Sequence, residues 1–229
     1  MIRCIALAFG VASASQADIR SAEYSDPTSA YGHNVIPGGE YAQLSLELED
    51  GTRLLSQAVG GVYEDTAPRL IDIDRDGSPE VITVFSYFDV GAAIRIWSKQ
   101  DDHIELLAEG DPIGKRHRWL SVIGAADLDG DGQIEVAYVD RPHLAKTLRI
   151  VRMNGDSLTE VGNFSGVTNH RIGELDIAGG IRECGRGPEM IVASANWLEL
   201  LAVTFDGSFK VTVIGADTSR SAFANAMKC

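Results

Sequence analysis

The sequence predicts an all-β chain built from repeats, and three observations carry that prediction. Apolar residues fall in short alternating runs, the runs are punctuated by Asp-Gly, Gly-Gly and Asn-Gly pairs, and one acidic segment returns downstream of itself. Alternation puts every second side chain on one face of a strand, and the glycine pairs supply tight turns between strands. The returning segment runs over 70–82 and aligns without gaps on 125–137, while a weaker copy begins at Glu174 and ends at Val192. Copies starting at Asp72, Asp127 and Asp176 lie 55 and 49 residues apart, a period long enough for four short strands.

In chain order, Met1-Ile2-Arg3, an apolar stretch over 4–14 and Ser15-Gln16-Ala17 have the layout of a secretory signal peptide over 1–17, with cleavage after Ala17. That stretch is too short for a permanent anchor and no later run of about 18 apolar residues follows, so the expected product is periplasmic or secreted, without a membrane span. Residues 18–229 are expected to form one domain. An extended piece at 19–24 precedes a strand pair, 41–48 and 53–59, that turns at Asp50-Gly51. Each acidic copy is followed by a similar pair: 93–97 with 104–108, 147–153 with 157–161, and 200–205 with 209–214. Helical spacing persuades only in the tail, over 219–228. The resulting repeats are about 18–68, 69–120, 121–173 and 174–215, with a tail at 216–229. A four-stranded unit recurring at this period is what a β-propeller blade looks like, because radial packing buries both faces of short sheets and limits exposed edges. The expectation is a small β-propeller-like array of about four four-stranded repeats. A stacked sandwich is the competing arrangement, and the first unit lacks a clear innermost strand.

The formal net charge is −13, and loss of residues 1–17 removes Arg3 and no carboxylate, giving −14. That balance argues against a nucleic-acid partner, whose phosphates need a basic surface. Clustered carboxylates also repel one another, and divalent cations relieve that repulsion. Of the three cysteines, Cys4 falls in the signal segment. In an oxidising compartment Cys184 and Cys229 are expected to form one disulfide; a redox pair or metal-binding thiols would more often show a Cys-x-x-Cys spacing, which is absent.

The acidic segments carry the most specific chemistry. Asp72, Asp74 and Asp76 alternate before Gly77, and Asp127, Asp129 and Asp131 alternate before a glycine, Gly132. Three such carboxylates can converge on one hard cation when glycine permits the sharp turn, with the carbonyl of Ser78 or Gln133 as the seventh position and Glu80 or Glu135 as the ninth. Two complete loops at matching places point to two calcium ions; magnesium, manganese or an unoccupied turn are the alternatives. The patterns Asp72-x-Asp74-x-Asp76-Gly77-x-x-Glu80 and Asp127-x-Asp129-x-Asp131-Gly132-x-x-Glu135, each followed by an apolar strand, resemble the FG-GAP, or VCBS, repeats of integrin-alpha-type propellers and exported bacterial proteins. The resemblance covers roughly 60–215 and implies calcium in the loop between the first and second strands of a blade. Here the ninth position is Glu instead of the commoner Asp. The third copy lacks the motif: aligned from Asp176 to Glu189 it has five extra residues, Cys184 among them. A bond from Cys184 to Cys229 would hold that loop as calcium would hold the others; a disordered hairpin with an incidental cysteine is the alternative.

In a blade, the turns between second and third strands and the links between blades lie on the rim opposite the acidic loops. That rim is expected to gather His33, Glu64, Asp65, Asp89, Arg116, His117, Arg118, Asp140, Arg141, His143, Lys146, His170 and Arg171, leaving only His103 among the histidines on the calcium side. Arginine forks beside histidines and Trp119 suit a carboxylated sugar, a phosphate or an acidic protein segment. The same residues can instead tie loops together through carbonyls, or form a metal site from His33, His117, His143 and His170. No Gly-x-Gly-x-x-Gly, Gly-x-Ser-x-Gly or His-Glu-x-x-His occurs. The combined reading is an exported calcium-binding module that engages an extracytoplasmic protein, a glycan or a small anionic ligand. The alternative is an enzyme, a hydrolase or lyase, using the His/Arg cluster.

Overall fold

The computed structural model describes residues 17–229, so the signal segment expected at 1–17 lies, apart from Ala17, outside the described residues. The regular structure of these residues is β-strand apart from one short helix, the rest being turns and loops. Strands β1 (Ile19–Pro27), β2 (Glu40–Leu48) and β3 (Arg53–Gln57) form an antiparallel meander, the last two joined by the Asp50-Gly51 turn. Next, β4 (Gly61–Glu64) and β5 (Arg69–Ile71) share one edge of β6 (Glu80–Tyr87), followed by β7 (Gly91–Gln100) and β8 (His103–Glu109). The third unit is an uninterrupted four-stranded meander of β9 (Leu120–Ala126), β10 (Glu135–Asp140), β11 (Thr147–Asn154) and β12 (Ser157–Ser165). In the last unit β13 (Val167–Thr168) and β14 (Gly180–Glu183) share one edge of β15 (Pro188–Ser194), which continues into β16 (Leu200–Phe205) and β17 (Phe209–Gly215).

The first three units join into one curled 12-stranded sheet, because the start of β2 pairs with β4 and β8 meets β12 at the single parallel pair Glu109–Ser157; the last unit is a separate five-stranded sheet. Packing follows strand alternation. On β6, Val81 and Phe85 face the first unit with Leu44, Leu46 and Leu54, while Ile82 and Val84 face the third with Val122 and Val136. On β10, Val136 joins that second layer and the next residue, Ala137, packs with Met190 and Val203 of the last unit. Each central sheet therefore buries both faces, and a fully buried Leu, Ile or Phe adds roughly 1.5–3 kcal/mol over leaving it in water. The helix α1 (Arg220–Ala226), N-capped by Ser219, covers the outer face of the last unit through Phe223. No helix among the described residues is long and apolar enough to cross a membrane.

Two differences from the sequence expectations concern interrupted strands. The second unit starts at Gly61 and the last at Val167, ahead of the boundaries at 69 and 174, because their first strands break at 65–68 and 169–179. Inside the first break, buried Asp65 accepts from Thr66 N (2.7 Å) and pairs with Arg69 (2.5 Å), bonds that a continuous ladder would not allow. The third acidic copy is also corrected. In the sheets Glu80, Glu135 and Glu189 are opposite Ile71, Ala126 and Arg182, so Glu183 occupies the place of Asp72 and Asp127. Asp176 lies upstream of this turn, and the loop from Glu183 to Glu189 is two residues shorter than its counterparts instead of five longer. The disulfide Cys184–Cys229 is formed and ties this short loop to the chain's end.

Candidate functional site

The two acidic loops have the same internal bonding. In 72–80, Asp76 N donates to Asp74 Oδ1 (3.2 Å), Gly77 N to Asp72 Oδ2 (3.1 Å), Ser78 N to Asp76 Oδ1 (2.8 Å) and Ile73 N to Glu80 Oε2 (2.9 Å). In 127–135, Asp131 N, Gly132 N, Gln133 N and Leu128 N make the matching bonds at 3.2, 3.1, 2.8 and 2.8 Å. Gly77 and Gly132 have φ of 98° and 94°, a region closed to most side chains, which is why both copies keep glycine there. Each loop draws an oxygen of its first Asp, its second Asp and its Glu to within 4.8 Å of one another. Oxygens bound to one calcium at 2.3–2.6 Å lie at most about 5 Å apart, so that spacing is compatible with a shared ion.

Two further observations test the fit. Asp72 Oδ1 and Asp127 Oδ1 are both buried and make no hydrogen bond, the same atom orphaned in both copies. A buried carboxylate oxygen with no donor is costly, and a cation between the converging carboxylates would satisfy it. In the first loop, burial and the neighbouring Asp74, Asp76 and Asp72 push Glu80 up to about 7, against the opposing hydrogen bond from Ile73 N. The trios Asp72, Asp74 and Glu80 in one loop and Asp127, Asp129 and Glu135 in the other fit a hard divalent cation; Asp76 and Asp131 lie outside these trios, and the carbonyls of Ser78 and Gln133 are the expected further donors.

At the other end of the strands, four histidines from different segments meet. His33 in loop 28–39, His117 in the link before β9 and His143 in the β10–β11 loop line one cavity of about 350 Å³ with Arg118, Trp119 and Arg141. His33 and His117 stack at 5.1 Å between ring centres. His143 Nε2 lies 3.0 Å from Nδ1 of fully buried His170, whose Nε2 lies 3.0 Å from Glu174 O. Trp119 packs edge-on against His170 and stacks on His143, and its Nε1 donates to Glu64 O (2.7 Å).

Bonding partners fix what these rings can offer. A carbonyl only accepts, so His170 Nε2 carries the proton; His170 Nδ1 then accepts from His143 Nε2–H, leaving a lone pair on His143 Nδ1. Burial and the adjacent His170 hold His143 down at about 4, so it is neutral at physiological pH. His33 Nδ1 pairs with Glu64 (2.8 Å), whose carboxyl burial raises while His33 and Ser86 oppose the rise. Among the described residues, no three histidines bring ring nitrogens together as metal ligands.

The cations are more occupied than their sequence positions suggest. Arg116 donates to Phe88 O (2.7 Å) and Tyr31 O (2.9 Å), and Lys146 to Ala195 O (2.6 Å). Arg171 lies over the Trp197 ring at 3.9 Å and faces Glu174, away from the cavity lining. Arg141 forks onto Asp140 (2.7 and 2.8 Å), and Arg149 holds the same carboxylate; burial disfavours ionised Asp140, but these guanidiniums outweigh it and its pKa falls below the ordinary range. Arg118 donates to His117 O (2.8 Å) and has no carboxylate partner among the described residues. His103 sits at the β7–β8 turn, apart from this group.

Several positioning residues escaped the sequence reading. Buried Glu40 accepts from Gly32 N, His33 N and Asn34 N (2.9, 2.6 and 3.0 Å) and so shapes the loop that delivers His33; the only sequence signal is an acid opening a strand after Pro37-Gly38-Gly39. Tyr31 Oη accepts from His117 N (2.6 Å), and Arg152 reaches Glu135 from the neighbouring strand. Counting hairpin register back from the β10–β11 turn would have found Arg152, whereas Tyr31 had no local signal. No protein-family model matches the chain, and no curated protein matches it in sequence.

Proposed function

We propose that this chain is an exported, calcium-stabilised binding module of β-propeller type, with calcium in both acidic loops and a ligand site in the histidine-lined mouth at the opposite end. The observation that carries the calcium reading is the duplicated orphan, Asp72 Oδ1 and Asp127 Oδ1, at the focus of two loops with the same bonding. Five residues per loop, four of them carboxylates, suit calcium better than magnesium, which is smaller and retains much of its water. The propeller reading is supported by three successive four-strand units that alternate their apolar residues between neighbours, the first unit contributing three strands. Export is supported by the layout of residues 1–17 and by the Cys184–Cys229 bond, which belongs to oxidising compartments.

For the mouth, a carboxylated sugar is the ligand that best matches the groups present. Hydroxyls of a sugar can donate to the lone pair of neutral His143 Nδ1, and a carboxylate can be met by Arg118, with Arg141 at the edge. A base held near 4 is poorly matched to proton abstraction at neutral pH, which favours binding over catalysis here. Titration calorimetry with uronic-acid oligosaccharides tests the assignment: wild type should bind, and Arg118→Ala and His143→Ala should each weaken binding at least tenfold, about 1.4 kcal/mol. Wild-type protein that binds neutral and acidic sugars equally weakly would remove the mouth from consideration.

A further inference from the structure

We propose that the two acidic loops are unequal cation sites: the 72–80 loop takes a divalent cation directly, whereas the 127–135 loop is already held by Arg152, which an incoming cation must displace. This rests on the calcium reading above and adds an order of filling to it.

The difference lies in one position of the neighbouring strand. Arg152 on β11 is directly opposite Glu135 on β10. Its Nε donates to Glu135 Oε1 (2.7 Å), its Nη2 to Asp129 Oδ2 (3.0 Å), and its Nη1 lies 3.0 Å from Asp131 Oδ2. Asp129 and Glu135 belong to the trio whose oxygens converge, so the guanidinium draws on the same carboxylates a cation needs. In the first copy Val81 is opposite Trp97, which puts Ser98 across from Glu80 where the second copy has arginine. Ser98 is 8% exposed, its Oγ has no hydrogen-bond partner, and it lines one hollow with Asp74, Asp76 and Glu80. A buried hydroxyl with no partner, set beside a carboxylate trio, is a group that a cation or its bound water would satisfy.

Arg75 widens the asymmetry. Although it belongs to the first loop, it turns away and pairs with Asp127 Oδ2 at 3.2 Å. The second loop therefore has two guanidiniums among its acids, and no arginine among the described residues pairs with the acids of the first. Calcium entering the first loop meets four acids that no arginine among the described residues holds. Entering the second, it must first break charge-assisted bonds that are among the stronger polar contacts a protein makes. Asp127 Oδ1 nevertheless stays orphaned with Arg152 in place, so the second loop keeps an open ligand position.

The test is calorimetric titration of the exported protein, stripped of metal by chelation, with calcium chloride as the only ligand. Two phases separated by at least about tenfold in Kd are expected. Asp74→Ala should delete the tight phase and Asp129→Ala the weak one. Arg152→Ser should bring the weak phase to within a few-fold of the tight phase, and Ser98→Arg should weaken the tight one by about tenfold. Because Arg152→Ser leaves buried Glu135 without its partner, Arg152→Gln and the gain-of-arginine variant Ser98→Arg keep the question open to refutation if the first variant does not fold. Two equal sites that ignore Arg152→Gln and Ser98→Arg would overturn the inequality and leave the calcium reading intact. No calcium uptake by wild type would overturn both.

Discussion

Removing calcium is the perturbation with the clearest expected size. A cation that binds only the folded chain at a free concentration 100-fold above its Kd adds about 2.7 kcal/mol to stability. For a chain of 150–250 residues, each kcal/mol moves Tm by about 2–4 °C, so occupation of the 72–80 loop alone should be worth about 5–10 °C. The structural basis is a group of acids that repel one another: Glu80 is 4% exposed, its pKa is pushed up to about 7 by burial and three aspartates, and Asp72 Oδ1 has no donor. Thermal unfolding followed by circular dichroism, first in millimolar calcium and then after chelation, measures the shift, and readdition of calcium should restore it. Asp74→Ala with Asp129→Ala should melt in calcium near the temperature of chelated wild type and respond little to chelator. If wild-type Tm stays within about 1 °C through chelation and readdition, the orphaned oxygens do not mark a cation site and the reasoning fails.

Three other outcomes follow from particular contacts. Replacing Cys184 with Ser opens a crosslink spanning 45 residues, which chain entropy values at about 4 kcal/mol, so the denaturant midpoint should fall clearly, and an unchanged midpoint would refute this. His143, held at about 4 against an ordinary 6.5, binds its proton more readily in the unfolded chain; its contribution is complete above pH 6.5 and is lost as pH falls toward 4. The full shift corresponds to about 3 kcal/mol, reduced to about 1–2 kcal/mol by partial exposure, and His143→Asn should flatten the stability profile across that window. Arg116→Ala should cost about 1–3 kcal/mol because two carbonyls lose their donor, while Arg118→Ala should stay within about 0.5 kcal/mol; equal losses in chemical denaturation would contradict this division of roles.

Local chemistry was legible in the sequence where spacing dictates geometry. The alternation of Asp72, Asp74 and Asp76 before Gly77 implied a sharply turned loop with converging carboxylates; the bonds from those carboxylates to the amides that follow are what the structure adds. The hairpins were equally readable, from Asp50-Gly51 to the Leu200–Phe205 and Phe209–Gly215 pair, since turn residues and alternation are both short-range. Strand interruptions were not. The break at 65–68 depends on Asp65 and Arg69 closing on each other in a buried place, and nothing in their spacing separates that from an ordinary strand. The same limit produced the wrong register at Asp176, where a weak motif match outweighed the pairing of Arg182 with Glu189 that strand register requires. In the mouth, the convergence of His33, His117, His143 and His170 was readable from topology, but the occupation of Arg116 and Lys146 by carbonyls was not, because acceptors such as Tyr31 O and Ala195 O are 85 and 49 residues away.

The acidic end of the molecule answers one electrostatic problem in three ways. Each of the last three units places a carboxylate at the start of its second strand: Glu80, Glu135 and Glu189. Glu80 has a backbone donor and three repelling aspartates, the arrangement that a cation from solution would relieve under the proposed calcium reading. Glu135 has the same loop but shares Arg152, so a cation there competes with the protein. Glu189 faces Arg182, whose other arm holds Ala226 O (2.7 Å) at the end of α1, and this loop is closed covalently by Cys184 and Cys229. On the calcium reading proposed above, dependence on metal should fall from unit to unit as internal partners are supplied, and Arg75, reaching from the first loop to Asp127, links the first two loops. Such a gradient predicts that calcium withdrawal loosens the second unit before the last. Amide hydrogen exchange can resolve this: on chelation, protection should be lost first in Glu80–Tyr87 and last in Pro188–Ser194. Simultaneous loss across both strands would mean that the shared apolar layers, and not the loops, set the cooperative unit.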